Sequence, residues 1–77
     1  MNKKEKDKFL KDFGKHLRKV REEKGYSVRE MQLQFNIDRS NLTKIERGEK
    51  NLNLTTLKRI IEALGLSWQE FFEGMDA

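Results

Sequence analysis

Arg39, Ser40, Thr43, Lys44 and Arg47 lie within one nine-residue stretch. On a helix at about 100° per residue they share a single arc, and Leu42 and Ile45 fall opposite. The polar arc holds three cations and two hydroxyls and no acid. Such a set of donors suits phosphate oxygens and the edges of bases in a DNA major groove. The same residues would also serve as an ordinary solvated face of a three-turn helix. The narrow apolar face needs a core to bury against, so the rest of the chain decides between these readings.

Other chemistry finds little support. His16 is the only histidine and no cysteine is present, so no metal-ligand cluster forms at useful spacing. His16 is read as a surface residue. No nucleophile, base and oxyanion group come together, and no glycine-rich phosphate loop occurs. An enzyme is not expected, and no cofactor, metal or small-molecule ligand is implied. Uncharged runs reach only seven residues, as in 63–69, far too short to span a bilayer. The basic N-terminus is not followed by an apolar signal region. A cytoplasmic protein is expected, with no membrane partner.

Charge is strongly segregated. Residues 1–61 hold all 17 Lys and Arg against nine acids, a balance of +8, whereas residues 62–77 hold four acids and no cation. A polyanion would be drawn to the first part and repelled by the second. A lysine-rich surface that only keeps a small protein soluble is the plainer alternative.

The chain's 77 residues make one small domain. Residues 1–8 read as a charged arm or the frayed start of a helix, and residues 9–77 as the domain. Leu10, Phe13, Leu17 and Val20 recur at three and four, which predicts a first helix ending near Lys24 before Gly25. Gly14 lies inside that helix, where it can permit a close helix contact. Ser27 and Glu30 form a capping box that opens a second helix burying Met31 and Phe35. Asn36 suits a left-handed turn, Ile37 points inward, and Asp38 caps a third helix of about 38–47 that Gly48 stops. Asn53 or Thr55 caps a fourth, expected to bury Leu54, Leu57, Ile60, Ile61 and Leu64 before Gly65. Ser67 and Glu70 form another capping box, opening a short fifth helix with Trp68, Phe71 and Phe72. Glycine punctuation and apolar period agree throughout, which predicts an all-α, five-helix fold.

About three residues join the second and third helices, a spacing that fits the steep crossing of a helix-turn-helix. The resemblance then becomes specific. Leu17-Arg-Lys-Val-Arg21 before Gly25, Ile45-Glu-Arg-Gly48, and Leu64-Gly-Leu-Ser67 occur in order. Over roughly residues 10–73 the chain resembles the Cro and phage-repressor (Xre-type) helix-turn-helix family. Its loop before Leu57 and its Phe-Phe-Glu73 ending are similar to the small controller proteins of restriction–modification systems.

That resemblance implies a compact repressor-like domain that binds double-stranded DNA as a homodimer and regulates transcription. It places Arg39, Ser40 and Lys44 where the family reads bases. Thr43, Arg47 and Lys50 become phosphate contacts, with Ser27 and Arg18 as further candidates. It pairs Arg21 with Glu46 in a half-buried salt bridge. Four positions depart from the family pattern: Val28 for a phosphate-binding glutamine, Gln32 for an alanine between the helices, Asn36 for a turn glycine and Leu52 for a proline. Val28 and Gln32 favour the competing reading, a helix-turn-helix module that pairs with proteins and no longer binds DNA.

Trp68, Phe71 and Phe72 are more apolar surface than a one-turn helix hides. One of the adjacent phenylalanines is expected in the core. The five residues Leu66, Trp68, Phe71, Phe72 and Met75 together are expected to form a symmetric dimer contact.

Overall fold

The structure is a computed structural model that describes residues 1–75. It has five helices: α1 (Lys3–Glu23), α2 (Val28–Phe35), α3 (Arg39–Glu46), α4 (Leu54–Ala63) and α5 (Trp68–Phe72). No strand occurs among the described residues. The fold class is the expected one. The charged start is not a separate arm: Asn2 caps α1 by accepting from the Glu5 amide at 2.8 Å, so the helix takes in nearly all of it.

Both capping boxes form. Ser27 and Glu30 exchange side-chain-to-amide hydrogen bonds of 3.0 Å, and Ser67 and Glu70 do the same at 2.9 and 3.1 Å. Each carboxylate accepts from the backbone N–H of its serine, and this holds both glutamates below their ordinary value of 4.5. A carboxylate depressed in the folded state stabilises it above the unfolded pKa and loses that contribution as pH falls. Melting measured from pH 6 down to pH 3 should therefore show the α2 and α5 starts loosening below about pH 4.5. The double variant Glu30→Gln/Glu70→Gln should flatten that dependence; an unchanged acid limb would assign it to other groups.

The core is one cluster. Phe13 and Leu17 from α1, Met31 from α2, Ile37 from the turn, Leu42 and Ile45 from α3, Ile60 and Ile61 from α4, Leu64 at its C-cap, and Phe71 from α5 are all buried. Each such side chain contributes about 1.5–3 kcal/mol by leaving water. Asn53, rather than Thr55, caps α4, accepting from the Thr56 amide at 2.8 Å. Leu54 does not join the core. It is 71% exposed. Helical period gives it the same side as Ile61, but it is the first residue of α4, beyond the layer that covers that side.

Phe71 and His16 also differ from expectation. Phe71 is fully buried and packs edge-on against His16 and tilted against Phe13. His16 is half-buried, and its Nε2 is hydrogen-bonded to the Phe71 carbonyl. It is not a surface residue but the joint between α1 and α5. Among the described residues no group of His, Asp and Glu could hold a metal ion, and no helix is long and apolar enough to cross a membrane.

Candidate nucleic-acid interface

α3 is fixed at both ends. At its start the Asp38 carboxylate accepts from the Asn41 amide at 2.8 Å. The preceding turn is made by Asn36 at φ 55°, the left-handed conformation the sequence suggested, and its amide closes α2 on the Gln32 carbonyl. Arg59 of α4 donates to the Asn36 carbonyl at 2.9 Å, supporting the turn from behind. Nothing in the local sequence signals that contact, which crosses 23 residues.

At its far end α3 is tied to α1. Arg21 Nε donates to Glu46 Oε2 at 2.7 Å and Nη2 donates to Oε1 at 2.9 Å; Nη1 donates to the Tyr26 carbonyl at 2.7 Å. The bond to Glu46 raises the Arg21 pKa against the opposing effect of burial. The two side chains are only 8% and 7% exposed, so the bridge is deeper than half-buried. Gly14 explains how α1 comes so near. A Cβ there would stand 2.4 Å from the Glu46 carbonyl oxygen and 2.6 Å from that of Ile45. Gly48, at φ 74°, ends α3 and presses onto the Lys11 backbone in the same way.

Between these fixings Leu42 and Ile45 are buried. Arg39, Ser40, Lys44 and Arg47 are exposed and Thr43 is half-buried. Among the described residues none of the five side chains makes a hydrogen bond or ion pair, and neither does that of exposed Lys50. Both acids of α3 and its N-cap are engaged, Asp38 in the cap and Glu46 with Arg21; Glu49, past Gly48, is exposed between Arg47 and Lys50. The arc is therefore an uncompensated cationic surface on a rigidly seated helix, able to donate to anionic oxygens and base edges.

Ser27 and Arg18 are placed differently. The Ser27 hydroxyl oxygen and amide are both used by the capping box, and Glu30 sets a carboxylate at the start of α2. A phosphate there would find the Val28 and Arg29 amides and the hydroxyl proton free, beside the exposed Arg29 side chain. Arg18 is exposed but bridges Glu22 at 3.4 Å. Gln32 is exposed, so it bends away from the helix crossing, while Val28 packs against the core.

The expected dimer residues do not form one patch. Phe71 is inside and unavailable. Leu66 and Met75 line clefts beside His16 and Lys19. Trp68 stacks on Phe72, and Phe72 enters an apolar groove with Phe9, Leu10, Leu54 and Leu57. Phe9, Leu54 and Trp68 are exposed. Phe9 was not singled out in the sequence and Leu54 was expected in the core; their exposure depends on what covers them, which no local signal gives.

Residues 17–71 match a family described as helix-turn-helix. Control protein C.MunI from a Mycoplasma species is 34% identical over 65 residues, covering 83% of this chain and 88% of that protein. The uncharacterized HTH-type transcriptional regulator YqaF of Bacillus subtilis is 39% identical over 59 residues, covering 77% of this chain and 78% of its own length. The crystal structure of the restriction–modification controller protein C.AhdI from Aeromonas hydrophila superposes with a TM-score of 0.75 at 33% identity, covering 82% of this chain and 96% of that one.

Proposed function

Because the chain belongs to the Xre-type helix-turn-helix family of DNA-binding transcription regulators, we propose that it binds a palindromic DNA site as a homodimer, with α3 in the major groove. The observation that carries this reading is the unpaired cationic arc of α3, held at one end by a cap and at the other by a buried ion pair. Arg39 is assigned two hydrogen bonds to guanine O6 and N7, and Ser40 and Lys44 read neighbouring edges. Thr43, Arg47 and Lys50 anchor phosphates and set register. Arg18 can join them by exchanging Glu22 for a phosphate, at little cost for so exposed a pair. Ser27 is the weakest anchor, because Glu30 shares its site. The likeness to two controller proteins supports a controller-type role in a restriction–modification system.

The dimer contact is assigned to Trp68 and Phe72, joined by Phe9 and Leu54 in place of Phe71. Trp68→Ser removes exposed apolar surface and leaves the core intact. It should shift the species seen by light scattering at micromolar concentration from dimer to monomer; an unaltered mass would place the contact elsewhere. The function itself is tested by selecting bound duplexes from a random pool. Two inverted half-sites about one helical turn apart are expected. A pool that yields no sequence, with binding that does not respond to salt, would favour the protein-interaction module.

A further inference from the structure

Lys4, Lys8, Lys11, Lys15 and Lys19 follow one another along α1 at spacings of four, three, four and four residues. That pattern sets all five on one helical arc. All are exposed. No acid lies on this arc between Lys4 and Lys15; Asp7 and Asp12 sit at its two edges, Asp7 exposed and Asp12 bridging Lys8 at 2.9 Å with both side chains well exposed. Such a surface pair is weak and readily exchanged. The opening of α1 is also longer than packing requires. Residues 3–8 are exposed and outside the core, yet Asn2 caps them as a defined helix. Finally, the row touches the α3 end: Gly48, between Arg47 and Lys50, lies against the Lys11 backbone.

We propose that this lysine row is a second phosphate track, binding the DNA backbone that flanks the half-site and extending the footprint past α3. The inference rests on α3 binding DNA. Lys4 to Lys15 spans about 16 Å at 1.5 Å per residue. Duplex phosphates recur every ~3.4 Å of axis on each strand while winding around it, so a straight row of this length meets a few successive phosphates of one strand. Lysines laid along the flanking backbone meet phosphates and not the base edges of a groove, so the row adds affinity and salt dependence without changing sequence preference.

The test uses the full chain and one selected site in two duplexes, one ending at the half-sites and one carrying about ten further base pairs on each side. Wild type should bind the longer duplex more tightly and with a steeper log–log salt slope. Lys4→Gln/Lys8→Gln/Lys11→Gln should lower that slope by nearly three per protomer, at ~0.9 per phosphate. On the short duplex the variant should match wild type, and its preference for the site over a scrambled one should be unchanged. Arginine at the same three positions should restore the slope. Equal slopes for wild type and the glutamine variant on the long duplex would reduce the row to a solubilising face. Absence of binding by wild type to either duplex would instead remove the DNA reading on which the proposal stands. Far-UV circular dichroism checks that α1 remains helical in each variant.

Discussion

Glu46→Gln should destabilise the protein by about 3 kcal/mol, the order expected when one partner of a buried ion pair is removed. Arg21 keeps its charge in a site where its side chain is 8% exposed. Its counter-charge is gone, and one glutamate oxygen has become an amide that offers donors to a donor. The Tyr26 carbonyl, at 2.7 Å from Nη1, and the remaining amide oxygen are then neutral acceptors for a full charge. For a domain of this size the midpoint of melting should fall by more than about 10 °C. DNA affinity should fall as well, beyond what the unfolded fraction explains, because the last turn of α3 loses its tie to α1. Arg21→Met/Glu46→Leu removes both charges and should recover much of the stability. A Glu46→Gln melting point within a degree or two of wild type would show that the bridge does not seat α3.

Gly14→Ala should also destabilise, against the usual trend. In a solvated helix that change gains about 1 kcal/mol. Here the new methyl meets two backbone carbonyls, those of Glu46 and Ile45, at 2.4 and 2.6 Å. Backbone oxygens cannot rotate aside, so α1 and the end of α3 must separate. Overpacking of this kind costs about 1–3 kcal/mol, or more where the obstacle is rigid, and the expected net loss is about 2 kcal/mol. Moving α1 away also stretches the Arg21–Glu46 bridge, so this variant and Glu46→Gln should not be additive. A melting point raised by alanine would show that the two helices have room to spare.

Much of this architecture was legible in the residues. Ser27 with Glu30 and Ser67 with Glu70 opened the helices they opened on the page, and Asn36 took the left-handed turn. These are local signals, set by hydrogen bonds over three residues or by one residue's conformational range. The Arg21–Glu46 bridge came through family resemblance, because its 25-residue separation has no local trace. What stayed hidden depended on depth and on distant partners. Period gives the side of a helix a residue occupies, not whether anything lies over it, which is why Leu54 proved exposed. Adjacency allowed either Phe71 or Phe72 to enter the core; contact with His16 and Phe13 selected Phe71. Arg59 looked like one more surface cation, and only the approach of α4 to the Asn36 carbonyl gives it a role.

For the candidate site, the wheel of residues 39–47 was sufficient to place the cationic arc. It was not sufficient to show that the arc is unpaired, since that required locating Asp38 in a cap and Glu46 against Arg21. Ser27 illustrates the converse. Its role as a cap and its role as a phosphate ligand draw on the same oxygen and amide, and the capping box claims them.

On the proposed function α3 reads DNA sequence, with Arg39 as its main reader. The most direct measurement is the affinity of wild type and Arg39→Ala for the selected site and for a scrambled duplex of equal length, at one fixed salt concentration. Arg39 has no partner among the described residues and is exposed, so its removal should leave the fold intact. Loss of a bidentate guanine contact should cost about 1–3 kcal/mol on the selected site, a factor of roughly 5 to 150. On the scrambled duplex the change should be severalfold at most. Equal losses on both duplexes would make Arg39 a phosphate contact, and no loss on either would contradict the placement of α3 in the groove.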